Sequence, residues 1–197
     1  MIEKISAHIL DFLDNQSGLS DEEKDYYRYG IEITLSSILS LCIVIIIGIA
    51  FNSFWDSLLF LLLFVPLRQY TGGFHAESYF FCNLSLAVIF VGLMLICSIN
   101  SVLTYTYLWL VIATAGFVVV VIFSPVDNKN KPIKAENVKY YKMKASFLAF
   151  IYGTVGVWLI CMHNRYGLMA VMSLSVTAAL QVIGVCKRFA VNRYNVR

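Results

Sequence analysis

The sequence is poor in charge. Of its 197 residues, 14% are acidic or basic and 59% are apolar, whereas a soluble domain carries about a quarter charged residues. That shortage, with a mean hydropathy of +0.75, excludes a disordered chain and an ordinary water-facing globule. A formal charge of +3 is too small for a nucleic-acid binder. Proline is scarce, with three residues at 66, 125 and 132. The five cysteines contain no CxxC pair and lie mostly within apolar runs, which excludes a disulfide or zinc framework. No phosphate-binding glycine loop, metal-ligand cluster or serine-triad spacing occurs, so neither metal nor cofactor is expected. Residues 1–30 hold seven acids against three bases before any long apolar run begins. That is the reverse of a secretory signal, and no cleaved signal is expected.

Long apolar runs dominate what remains. Those at 31–51, 79–99, 102–123, 146–162 and 167–186 each approach the roughly 20 residues that cross a hydrocarbon core. Another, Phe54 to Leu67, has fourteen residues and reaches Pro66. As a regular helix it would cover roughly 21 Å of a core about 30 Å thick, so a thin, tilted or re-entrant crossing is expected. The sequence therefore predicts an all-α integral membrane protein of six transmembrane helices, the second one short, as a single polytopic domain over 1–197.

Within it, 1–29 form N-terminal cytoplasmic helices and 31–123 hold spans one to four. A basic loop follows over 124–145, spans five and six over 146–186, and a basic tail over 187–197. Ile2, Ile5, Ile9, Phe12 and Leu13 recur at helical spacing and predict an amphipathic helix on the membrane surface or on the bundle. Ser20 and Glu23 form a capping box that should start a second helix running to the bilayer.

Lysine and arginine set the orientation. Six lysines, including Lys129 and Lys131, lie between Ser124 and Lys144, and Lys187, Arg188, Arg193 and Arg197 follow Cys186. By the positive-inside rule both segments are cytoplasmic, and parity then places both termini and the connection after Leu67 inside as well. The basic tail suits anionic lipid. The lysine loop satisfies the same rule with no further role, or it attracts an acidic partner segment. Gln181 in the last span is suited to a hydrogen bond with another helix, and Gly153 with Gly156 to close helix approach. His8 and His163 read as surface residues, and Cys42, Cys97, Cys161 and Cys186 as small apolar ones.

The densest polar stretch beside any span is 66–82, which contains Arg68, Gln69, Gly72, Gly73, His75, Glu77 and Cys82. Pro66 and the paired glycines predict a break in the backbone. Irregular backbone and ionisable groups at membrane depth mark Arg68, His75 and Glu77 as a candidate site. An imidazole activates a thiol when the two are about 3 Å apart, yet seven residues of continuous helix would separate His75 from Cys82 by about 10.5 Å. A dyad thus requires a bend at the glycines; without one, His75 caps the third span and Cys82 packs among helices. Arg68 either fixes the turn through backbone carbonyls or Glu77, or holds a substrate carboxylate. Glu77 either orients His75 or caps the following helix. Gln69, Asn83 and backbone N–H groups are candidate oxyanion donors.

The pattern Arg-x-x-x-Gly-Gly-x-His-Ala with a following Cys, across Arg68, Gly72, Gly73, His75, Ala76 and Cys82, resembles the AgrB family (accessory gene regulator protein B) of membrane-embedded cysteine endopeptidases. The length, the six-run pattern and the stretch from Ser124-Pro125 to Lys131-Pro132 resemble that family too. The resemblance implies bacterial quorum sensing and virulence regulation at the cell membrane. A precursor peptide of the AgrD type would be cut on its C-terminal side and cyclised to a thiolactone autoinducing peptide. It further implies Cys82 as nucleophile, His75 as general base, functional need for Arg68 and Gly73, a homodimer, and precursor-tail binding by Lys129 and Lys131. A peptide transporter without covalent chemistry is the alternative expectation.

Overall fold

The computed structural model describes residues 2–73, 79–99, 102–126 and 135–194. It is all-α, with seven helices among the described residues: α1 (Ile2–Ser17), α2 (Asp21–Ala50), α3 (Phe54–Thr71), α4 (Tyr79–Cys97), α5 (Thr106–Phe123), α6 (Ala135–Cys161) and α7 (Tyr166–Tyr194). Five of them, α2, α4, α5, α6 and α7, are long and apolar enough to cross a membrane. They correspond to the five long apolar runs, and the chain is a multi-pass membrane protein. The expected boundary at Pro66 is corrected. α3 continues through Pro66 to Thr71 and ends where Gly72 takes φ +67°.

The start of α2 is fixed as the sequence predicts. Ser20 Oγ accepts from the Glu23 N–H and the Glu23 carboxylate accepts from the Ser20 N–H, a reciprocal capping box. Bonds donated to that carboxylate, first by the Ser20 N–H and then by the Ser20 hydroxyl, hold the Glu23 pKa below the usual carboxylate value. α1 turns back onto α2 through Gly18 and is pinned by an ion pair of 2.6 Å between Lys24 and Asp14. Ser6 and Leu10 face α2 and are buried, whereas Ile5, Ile9 and Phe12 stay exposed. Of the apolar stripe read from the sequence, Ile2 and Leu13 are half-buried while Ile5, Ile9 and Phe12 are exposed, so part of it is left for a lipid surface.

Apolar helices gain little hydrophobic free energy by meeting one another in lipid, so packing, small residues and polar contacts must hold the bundle together. Gly156 of α6 lies against Ala170, Val171 and the Gly167 carbonyl, and Gly116 of α5 against Leu174, so α5, α6 and α7 pack closely. Gly48 of α2 lies against Ser57 of α3. Phe60 stacks on Phe64 at 5.1 Å and meets Phe90 of α4 at 5.0 Å, filling the centre between α3 and α4.

α3 runs beside α7 between two polar ties. At one end buried Asp56 pairs with Arg165, just before α7. At the other the Thr71 carbonyl accepts from Gln181 Nε2 at 3.1 Å. The fifteen residue steps from Asp56 to Thr71 thus match the sixteen from Arg165 to Gln181, about 23 Å at 1.5 Å per step.

Candidate active site

The end of α3 is built around its two glycines. Gly72 and Gly73 have φ of +67° and +119°, values that suit glycine far better than other residues. A side chain at Gly72 would strike the Val126 carbonyl, and one at Gly73 would strike the Arg68 guanidinium and approach Leu180 and Gln181 of α7. Backbone from the exit of α5 pairs with this turn: Val126 N–H donates to the Thr71 carbonyl at 2.9 Å, and Gly72 and Val126 form a parallel bridge. The break predicted from Pro66 and the glycines is present, at the glycines.

Gln181 locks these pieces together. It is fully buried, and its Nε2 donates both to the Thr71 carbonyl and to Ser124 Oγ, the latter at 2.9 Å. Because the Thr71 carbonyl can only accept, the amide must present its nitrogen there. Gln181 Oε1 is buried with no hydrogen-bond partner among the described residues. The expected interhelical bond of Gln181 is therefore present, and it is made to the motif.

Arg68 Nη1 donates to the Gly72 carbonyl at 2.6 Å, so the guanidinium braces the turn as one of its two sequence readings required. Arg68 follows Phe64, Leu61 and Ser57 at spacings of four, seven and eleven, and all three are buried. It therefore lies on the inward stripe of α3. On α4 the same test places Cys82 with Leu86, Ile89 and Leu93, which pack into the core. The thiol is partly buried, while its neighbours Phe80, Phe81 and Leu84 are exposed. Phe60 of α3 meets Phe90 of α4 at 5.0 Å, and the two helices run in opposite directions, so Arg68, eight residues on, and Cys82, eight residues back, lie at the same level of the bundle. The structure thus brings Arg68, Gly72, Gly73 and Cys82 to one end of the bundle.

Gln69 is exposed, on a different face of α3 from Arg68. His75 and Glu77, and likewise Lys129 and Lys131, lie outside the described residues. Asn83, a candidate oxyanion donor, has its amide engaged with α2: Nδ2 donates to Ser36 Oγ at 3.3 Å and Oδ1 accepts from Ser40 Oγ. No group of three or more metal-ligating side chains occurs among the described residues.

Sequence reasoning missed the Asp56–Arg165 pair and the polar face of α2. An aspartate inside the Phe54–Leu67 run was the available signal, since an ionisable residue at membrane depth calls for a named partner.

A family model, "Accessory gene regulator B", matches residues 6–185. The chain belongs to the AgrB family. An AgrB-like protein of Clostridium perfringens strain SM101 is 31% identical over 192 residues, covering 94% of this chain and 90% of the relative. Accessory gene regulator protein B of Staphylococcus intermedius is 24% identical over 165 residues, covering 84% and 87%. The protein of that name from Staphylococcus aureus strain MW2 is 27% identical over 143 residues, covering 71% and 75%. No solved structure matches the chain. Membership of the AgrB family implies a peptidase role in processing an AgrD precursor.

Proposed function

We propose that this chain is a membrane-embedded cysteine endopeptidase that cuts the C-terminal part from an AgrD-type quorum-sensing precursor and helps cyclise the remainder. Cys82 is the nucleophile and His75 its general base. The observation that carries this reading is the placement of Arg68, the Gly72–Gly73 turn and the inward stripe of α4 that holds Cys82 at one end of the bundle, in the order of the family motif.

α3 is the short second of six crossings. Glu32 meets Tyr79 and Ser36 meets Asn83, so α2 and α4 run parallel in register, which supports a return of the chain across the bilayer through α3. With lysine and arginine concentrated after α5 and after Cys186, the site and both termini face the cytoplasm.

The chemistry follows from a thiolate beside an acid-base group. Cys82 sulfur attacks the scissile carbonyl, the C–N bond breaks, and protonated His75 delivers its proton to the leaving amine. The retained part of the precursor is then a thioester on Cys82. Neutral His75 next takes the proton of a thiol in that same peptide, whose sulfur attacks the thioester and expels the Cys82 thiolate. One thioester replaces another, so little free energy is lost and the ring closes as a thiolactone. Hydrolysis would waste the acyl group. A site at membrane depth limits water while holding the peptide thiol at high effective concentration.

Arg68 braces the turn and places a positive charge near the thiolate. Lys129 and Lys131 attract the acidic tail of the precursor through a salt-sensitive field. The working unit is a homodimer, which chemical crosslinking in membranes would reveal.

Protein in liposomes incubated with precursor should release a C-terminal fragment, and Cys82→Ala and His75→Ala should release none. Cleavage unaffected by Cys82→Ala would refute the assignment. A transporter would tolerate Cys82→Ser and move peptide without cutting it.

A further inference from the structure

A nucleophile on a membrane helix needs a fixed direction as well as a base. α4 is apolar around most of its circumference, and lipid gives such a helix little reason to prefer one rotation over another. Successive helical residues are separated by about 100°. A turn of one position would carry Cys82 to the place of Phe81, which is 61% exposed on the outside of the bundle. The thiol would then leave the inward stripe and the neighbourhood of Arg68.

Beside Cys82, α4 is attached to α2 by a polar ladder. Asn83 is 4% exposed, with its Nδ2 donating to Ser36 Oγ and its Oδ1 accepting from Ser40 Oγ. One turn earlier, Tyr79 Oη donates to Glu32 Oε2 at 3.1 Å, and Glu32 Oε1 accepts from Ser6 Oγ of α1 at 3.1 Å. Glu32, Ser36 and Ser40 are spaced by four along α2, matching Tyr79 and Asn83 on α4. The other polar side chain of this segment, Ser85, bonds back to its own helix at the Phe81 carbonyl and does not compete.

We propose that Asn83 is a positioning residue for Cys82: its amide, held by Ser36 and Ser40, fixes the rotation of α4 that keeps the thiol inward. An amide suits the task because it is neutral and offers one donor end and one acceptor end. One rotation satisfies both ends, as a single buried Asn sets register in coiled coils. The same engagement leaves the oxyanion to other donors. The catalytic consequence rests on Cys82 being the nucleophile; the rotational claim does not.

The test uses the full chain in liposomes with Cys42, Cys97, Cys161 and Cys186 replaced by Ala, leaving Cys82 as the sole thiol. Two quantities are read: precursor cleavage kinetics, and the ratio of Cys82 alkylation by a lipid-soluble maleimide to that by a charged, water-soluble one. Asn83→Leu should lower kcat by about 10- to 100-fold with KM nearly unchanged, as expected for a misdirected reactive group. It should also raise the alkylation ratio severalfold. Ser36→Ala with Ser40→Ala should do the same, and it carries the test if Asn83→Leu does not fold. Moving the amide to the other helix, with Asn83→Ser and Ser36→Asn, should recover both readouts. An unchanged alkylation ratio in folded Asn83→Leu overturns the proposal, whether or not kcat falls. If the parent protein cuts no precursor, the peptidase assignment fails while the alkylation ratio still decides the rotation.

Discussion

Thr71 and Gln181, 110 residues apart in sequence, are joined by a 3.1 Å hydrogen bond from the Gln181 amide nitrogen to the Thr71 carbonyl. The same nitrogen holds Ser124 Oγ, so one side chain of α7 ties the end of α3 to the exit of α5. Gln181→Leu should therefore loosen the glycine turn. The expected stability loss is modest, about 1 kcal/mol, because interhelical polar bonds in membranes are individually weak. The expected fall in cleavage rate is larger, about tenfold or more, since the turn carries the motif. Thermal unfolding in detergent and initial cleavage rates measure the two separately.

Gly73→Ala should abolish processing. The added methyl would need a positive φ of +119° and would collide with the guanidinium that braces the turn. The backbone strain costs about 1–2 kcal/mol, and relief of the collision displaces Arg68. Gly30→Ala, in the interior of α2 where a methyl meets nothing within 4 Å, should leave the rate nearly unchanged and raise stability by about 0.5–1 kcal/mol. Parallel cleavage assays of the two variants check this contrast.

Arg165→Ala should destabilise the protein without slowing the chemistry. It leaves the Asp56 carboxylate, 4% exposed, without its charged partner at the end of α3 remote from Cys82. Unpairing a buried charge costs up to about 3–5 kcal/mol. Arg165 itself is half exposed, so solvent replaces part of the pairing and the expected loss is about 1–2 kcal/mol. Asp56→Asn with Arg165→Ala should recover part of it. Melting curves and kcat of the surviving protein provide the check.

The α1–α2 hairpin should be sensitive to acid and salt. The Lys24 hydrogen bond is the first cause holding the Asp14 pKa low, and Asp14 in turn raises the Lys24 pKa. A lowered acid contributes stability above its unfolded value and loses it as the pH falls, here below about pH 4. A raised base contributes below its unfolded value and loses it as the pH rises, above about pH 10. The protection of α1 amides, taken relative to intrinsic exchange at each pH, should thus be steady between those limits and fall below about pH 4 or at high salt.

Much of this architecture was legible in the sequence because membrane crossing imposes length and composition together. The five long runs became α2, α4, α5, α6 and α7, and Ser20 with Glu23 announced the start of α2 through bonds that are wholly local. α3 was read too short. Pro66 removes one backbone donor but leaves the helix able to continue until Gly72, where the positive φ ends it. In the site, Arg68, the glycines and Cys82 were visible as a local pattern. Their partners were not: Gln181, Ser124, Ser36 and Ser40 join the motif through tertiary packing, and no spacing in the sequence reports that. Asp56 and Arg165 are likewise 109 residues apart.

The central claim is a covalent one, and intact-mass measurement tests it most directly. Protein in liposomes would be mixed with a precursor whose internal cysteine is replaced by alanine, so that ring closure cannot discharge the acyl group, and quenched in acid. The predicted result is added mass equal to the precursor without its C-terminal fragment, located on the peptide containing Cys82 and released by hydroxylamine. Fragment release with no adduct on Cys82, or an adduct that persists in Cys82→Ala, would contradict it.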